Sequence, residues 1–128
     1  MTPLTREWVR KAEGDLAHVN LAVSGHKSLY DGLCFHCQQA AEKYLKALLQ
    51  EAGLPVPKTH SLLDLQNLLL PRHPGLKSLR RGLNLMTRFA VDVRYPGHSA
   101  TKRQAQACVR WAGRVRTACR SLLGLKTR

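Results

Sequence analysis

Acidic residues are almost missing from the second half of this chain: from position 65 onward Asp92 stands alone against fourteen Lys and Arg. That absence excludes a balanced set of surface ion pairs there. Residues 1–64 carry seven acids and seven Lys or Arg, so the whole formal net charge of +13 arises in the second half. An excess of this kind repels itself. It fits a surface that meets a polyanion or an acidic partner, with a solvated basic exterior as the plainer alternative. Aromatic residues are scarce, at 5%. With Leu and Ala abundant, this scarcity argues against the aromatic and β-branched strands of a β domain and in favour of helices. No apolar run approaches the ~18–20 residues that a bilayer span requires. No basic start followed by an apolar stretch suggests a secretory leader, so no membrane association and a cytoplasmic location are expected. In that setting Cys34, Cys37, Cys108 and Cys119 are expected as reduced thiols. Internal repeats, low-complexity tracts and long linkers are missing too. The 128 residues therefore read as one domain, 1–128, with a basic tail from about 123.

What is present is helical periodicity. Thr2-Pro3 reads as an N-cap with proline in the first turn, and Leu4, Trp8, Ala12, Leu16, Val19 and Val23 then recur every three or four residues. A second helix carries a wide apolar face, from Leu33 and Cys37 through Tyr44 to Leu49, and ends at Gly53 before Pro55. Such a broad stripe predicts a central helix with neighbours on two sides. Ser61 caps a short Leu-rich helix that ends before Pro71, and Pro74 opens a fourth helix along Leu76, Leu79, Leu83, Met86 and Ala90. Thr101 and Gln104 fit a capping box ahead of Ala105, Cys108, Ala112, Val115, Cys119 and Leu122. The expected fold is all-α, an up-and-down bundle of four long helices plus one short helix.

Several residue groups carry possible chemistry. At ~100° per residue, Arg103, Arg110 and Arg114 share one exposed face of the last helix. Lys102, Arg116 and Arg120 flank them and Lys126 and Arg128 follow, an array suited to phosphate oxygens. Trp111 lies beside the apolar stripe, where packing is its expected role and stacking on a base the alternative. The segment Asp92-Val93-Arg94-Tyr95-Pro96-Gly97-His98 joins the last two helices. There an imidazole can move protons near neutral pH and a guanidinium can hold a phosphate, so a ribose 2′-hydroxyl could attack its own phosphate without a metal. The plainer alternative has Arg94 bonding helix-end carbonyls or Asp92, with His98 an exposed loop residue. His60, beside Lys58 and Thr59, either holds an anion at the start of the short helix or bonds a backbone carbonyl. Cys34 and Cys37 flank His36 inside a continuous helical pattern, which fits small core residues better than a zinc site. No metal or cofactor is expected. The candidate phosphate or nucleotide contacts are Arg88, Arg94, Tyr95, Arg103, Arg110, Arg114, Lys58 and His60, and the candidate catalytic pair is Arg94 with His98.

The stretch Phe35-His36-Cys37-Gln38-Gln39-Ala40-Ala41-Glu42-Lys43-Tyr44-Leu45-Lys46-Ala47-Leu48-Leu49 closely resembles the second-helix signature of HEPN domains. Trp8 to Asp15, Lys58-Thr59-His60-Ser61-Leu62 and Arg94-Tyr95-Pro96-Gly97 agree with that family in order and spacing. The resemblance implies a helical bundle that commonly forms a homodimer and is often encoded beside a minimal nucleotidyltransferase. It also implies RNA or a nucleotide as partner, and in many members metal-independent endoribonuclease activity. By this likeness Arg94 orients a phosphate and His98 is the acid-base residue, each subunit giving one such pair to a shared cleft. Three residues separate Arg94 from His98 and Tyr95 follows the arginine, a form that resembles a HEPN branch described as nucleotide-binding. The run Gln38 to Lys43 is read as architecture, with Ala40 and Ala41 allowing close approach of a twin helix.

Overall fold

Caps set the ends of the helices. In the computed structural model, which describes Met1–Arg128, the Thr2 side chain accepts from Thr5 N and opens α1, Pro3–Ala22. A 3₁₀ turn, Lys27–Leu29, leads into α2, Tyr30–Glu51, which ends before Gly53 in the left-handed region, at φ 70°. Ser61 caps α3, Leu62–Leu69, by accepting from Asp64 N. Both halves of the Thr101–Gln104 capping box are made at the start of α5, Lys102–Leu122, a cap worth about 1 kcal/mol. The architecture is all-α, a helical bundle as the periodicity predicts, and no helix is long and apolar enough to cross a membrane.

The fourth helix departs from expectation. Pro74 opens a 3₁₀ segment, Pro74–Leu79, and α4 proper runs Arg80–Asp92. Gln66, fully buried on α3, bonds to this segment. Its Nε2 donates to the Leu76 carbonyl at 2.6 Å, taking the acceptor that an α-helix would give to residue 80. The Arg80 N–H turns instead to Lys77 O, and an α-helical ladder begins only beyond that point.

α1 turns the predicted face to the core, with Ala12 and Val19 at its centre, but Thr5, Val9 and Asp15 join it and the two ends of the stripe stay exposed. Thr5, Val9, Ala12, Asp15 and Val19 are buried, whereas Leu4 is 56% and Val23 45% exposed; Trp8 and Leu16 pack at the core's edge. Polar bonds to α2 account for the burial of Thr5 and Asp15. Thr5 Oγ1 donates to Glu51 Oε1 at 3.0 Å, and Asp15 accepts from His36 and Lys43. A hydrophobic count cannot see these partners, because Thr and Asp score as surface residues.

α2 is central as expected, packing against α1, α3, α4 and α5. Thirteen of its 22 residues are buried. Ala40 and Ala41 are among them, at 1% exposure each, so their close approach serves neighbours in the same chain and not a twin helix. The expected stripe of α5 is buried from Ala105 to Cys119, while Leu122 is 46% exposed. All four cysteines are buried. Burial pushes the Cys37 thiol up to about 12, and the hydrogen bond to Cys34, then burial, pushes Cys108 up; these are core thiols, as the helical pattern around them implies.

Two of the basic side chains of α5 are consumed by the fold. Arg116 forks onto Glu13 of α1, with Nε to Oε2 at 3.0 Å and Nη2 to Oε1 at 3.2 Å. It also donates to the carbonyls of Thr127 and Arg128, and Arg120 donates to Tyr44 Oη and to the Lys126 carbonyl. The last residues thus fold back on α5. Partial burial acts to raise the Glu13 carboxyl, but bonds from Arg116 and Tyr44 outweigh it and hold the group below its ordinary 4.5. A carboxylate lowered in this way stabilises the fold above its ordinary value, and the contribution fades as pH falls through the lowered one. Urea titrations at about pH 7 and about pH 3.5 should therefore show a smaller acid-induced loss of stability in Glu13→Gln than in the parent chain.

Where α4 crosses α5, Gly82 lies against the indole of Trp111. A Cβ built on Gly82 would sit 2.0 Å from Trp111 Cε3, and the Arg114 guanidinium covers the ring at 4.7 Å from its centroid. Trp111 is a packing residue, as its position beside the stripe suggests. Gly82→Ala should cost roughly 1–3 kcal/mol by overpacking, read as a lower urea midpoint with an unchanged slope.

Candidate functional site

A groove of about 300 Å³ opens between α2 and α4 and is lined by Phe35, Gln38, Gln39, His60, Thr87, Ala90, Val91 and Arg94. Each wall has a local cause. Phe35, Gln38 and Gln39 fall on one sector of α2 at ~100° per residue, and Thr87, Ala90, Val91 and Arg94 fall on one face at the end of α4. The third wall, His60, comes from the segment that precedes α3.

His60 is held from behind. Its Nδ1 lies 3.0 Å from Glu42 Oε1, and Gln38 Nε2 donates to its carbonyl at 3.2 Å. A carboxylate only accepts, so Nδ1 carries the proton and Nε2 is left free on the solvent side. The ring is 81% exposed while Glu42 is only 5% exposed. The other oxygen of Glu42 takes Lys46 Nζ at 3.1 Å, with both side chains buried; Lys46 in turn lies 5.5 Å from the Trp8 ring centroid. A buried carboxylate shared by a lysine and a histidine thus carries an imidazole to the rim of the groove. Opposite it, the Arg94 guanidinium stands 5.5 Å from the Phe35 ring centroid and forms no ion pair with Asp92. Together these groups present one cation, one imidazole nitrogen, the Gln39 amide and one aromatic ring, while buried Gln38 is bonded at both ends, to the His60 carbonyl and to Gln39 Nε2. They can hold a phosphate oxygen and a planar base side by side.

Of the residues picked out from the sequence, the structure brings Arg94 and His60 into this groove. His98 lies beyond a turn in which its N–H donates to Tyr95 O at 3.2 Å, with Pro96 and then Gly97, at φ 87°, in the central positions of a type II turn. It is exposed, forms no side-chain hydrogen bond, and does not line the groove that holds Arg94. Tyr95 is 63% exposed, and Arg88 and Lys58 are exposed outside the groove. Arg103, Arg110 and Arg114 share an exposed face as predicted, but α5 contributes no residue to the groove. With Arg116 and Arg120 bound to α1, α2 and the chain's last residues, the basic array of α5 is divided and does not form one continuous cradle.

Sequence reasoning missed Gln38, Gln39 and Phe35 as groove residues, and Glu42 as the support of His60. It also missed a second carboxylate of the same construction. Asp15 Oδ1 lies 2.8 Å from His36 Nδ1 while Oδ2 takes Lys43, on the other side of α2. A signal existed in retrospect: His36, Gln39 and Lys43 repeat at three and four residues as a polar sector of a mostly buried helix, which demands polar partners.

The chain matches the HEPN domain family over residues 5–122. Together with the all-helical fold, this shows that the chain belongs to the HEPN family, a membership that points to a nucleotide- or RNA-related function. No curated protein and no solved structure matches it. The support of the groove rests on the Glu42–Lys46 pair. Lys46→Met leaves the Glu42 charge buried with only His60 to compensate it. That change should lower stability by roughly 3–5 kcal/mol, measured by urea unfolding, and Glu42→Gln combined with Lys46→Met should recover part of the loss.

Proposed function

We propose that this HEPN-domain protein binds RNA or a nucleotide in the groove between α2 and α4, with Arg94 and His60 on phosphate and Phe35 and Gln39 beside the base. The observation that carries the reading is the convergence of Arg94 and the carboxylate-held His60 on one groove whose lining contains no acid, the carboxylate behind His60, Glu42, being neutralised by Lys46. A phosphate there meets a guanidinium and an imidazole, with no carboxylate among the lining residues. The basic second half, including exposed Arg88, Arg103, Arg110 and Arg114, raises the local concentration of a polyanion without reading its sequence. In this reading the protein acts in the cytoplasm as a homodimer. It works with a minimal nucleotidyltransferase, in a two-gene arrangement of toxin-antitoxin type.

A second reading is metal-independent RNA cleavage by Arg94 and His98 across a dimer cleft. The exposure of His98, with its imidazole unbonded, leaves it available to a partner subunit's groove. Labelled RNA incubated with the purified chain and a chelator separates the two. Binding without cleavage, weakened about tenfold or more by Arg94→Ala and lowered by salt, supports the binding reading. Chelator-resistant cleavage that disappears in both Arg94→Ala and His98→Ala supports the nuclease instead. Equal RNA affinity in the parent chain and Arg94→Ala would remove the groove from consideration.

A further inference from the structure

The ridge of α2 that walls the Arg94 groove also walls a second one. This groove, of about 340 Å³, lies between the end of α1 and the start of α2 and contains His18, Leu21, Leu29 and His36 in its lining. The two grooves are joined by an unbroken row of π systems. The Arg94 guanidinium is 5.5 Å from the Phe35 ring centroid, and Phe35 meets His36 edge-on at 5.5 Å and 75°. His36 then stacks on His18 at 4.6 Å and 26°.

We propose that the His18–His36 groove is a second base subsite, so that the ligand of this protein is a single-stranded RNA segment of several nucleotides running from Arg94 across Phe35 to His18. The inference rests on the reading of the Arg94 groove as a phosphate and nucleotide site and extends it to a substrate class. Three features support it. His36 is positioned as His60 is: Asp15 accepts from its Nδ1 at 2.8 Å and is neutralised on its other oxygen by Lys43, so Nε2 remains free for a base edge or a phosphate oxygen. The lining offers aromatic faces and aliphatic walls, Leu21 being 81% exposed and Leu29 44%; planar bases are held by such surfaces with little regard to sequence. The carboxylate behind His36, Asp15, is buried and already paired with Lys43, so it does not oppose an anionic ligand at this groove. Phe35 lines one groove and its neighbour His36 the other, so the two grooves adjoin along α2.

The test compares a mononucleotide with a single-stranded hexanucleotide, both fluorescently labelled, by anisotropy. The parent chain should bind the hexanucleotide more tightly than the mononucleotide. The His18 side chain forms no hydrogen bond and is exposed, so His18→Ala should leave folding and mononucleotide affinity unchanged while weakening the hexanucleotide about fivefold or more. His18→Phe, which keeps a stacking face, should restore it. Arg94→Ala should weaken both ligands. A His18→Ala chain that binds the hexanucleotide as tightly as the parent overturns the second subsite and leaves the Arg94 groove standing. A His18→Ala or Leu21→Glu chain that changes its association state with unaltered hexanucleotide affinity does the same, and assigns the groove to a protein contact. A parent chain that binds neither ligand overturns the Arg94 reading and the extension with it.

Discussion

A carboxylate buried in the middle of the bundle, Glu42, holds Lys46 with one oxygen and His60 with the other, and the candidate site exists only because this arrangement does. Buried ion pairs are costly to desolvate and seldom add net stability over apolar packing of the same volume. Here the lysine neutralises the charge inside the core, which frees the second oxygen to fix an imidazole at the surface. The segment before α3 has no regular structure of its own at His60. Its placement against α2 comes from that bond and from Gln38 donating to its carbonyl.

The same solution is used twice on one helix. Asp15, contributed by α1, repeats the lysine–carboxylate–histidine sharing on the opposite side of the Phe35 ridge. Each case places a histidine with Nδ1 bound and Nε2 outward, and each histidine faces a different groove. Because both carboxylates are neutralised by lysines of α2, neither repels a phosphate. The surface chemistry of this end of the bundle is thus set by the polar residues that α2 buries.

Charge alone would have suggested a different site. The excess of Lys and Arg in the second half is real, yet Arg116 and Arg120 bond to Glu13, Tyr44 and the final carbonyls, and Arg114 covers Trp111. These contacts turn part of the basic array into structure. What reaches the groove from the second half is the single guanidinium of Arg94, positioned by the end of α4. The remaining arginines act on an anion at longer range, through a field that salt screens over ~10 Å.

The helices themselves were legible: Thr2, Ser61 and the Thr101–Gln104 box mark starts, Gly53 marks a stop, and the stripes of α2 and α5 lie where their periods put them. Those features depend on residues three or four apart, so the order of amino acids settles them locally. The burial of Thr5, the bond that Gln66 makes to the 3₁₀ segment after Pro74 and the meeting of Arg94 with His60 depend on partners ten or more residues away. Thr5 finds Glu51, Gln66 finds Leu76, and Glu42 finds His60 only once the helices have docked. A period in the sequence therefore determines which face of a helix is apolar. Which polar groups share a groove is decided by tertiary packing, because buried hydrogen bonds must be satisfied wherever the chain brings donor and acceptor together.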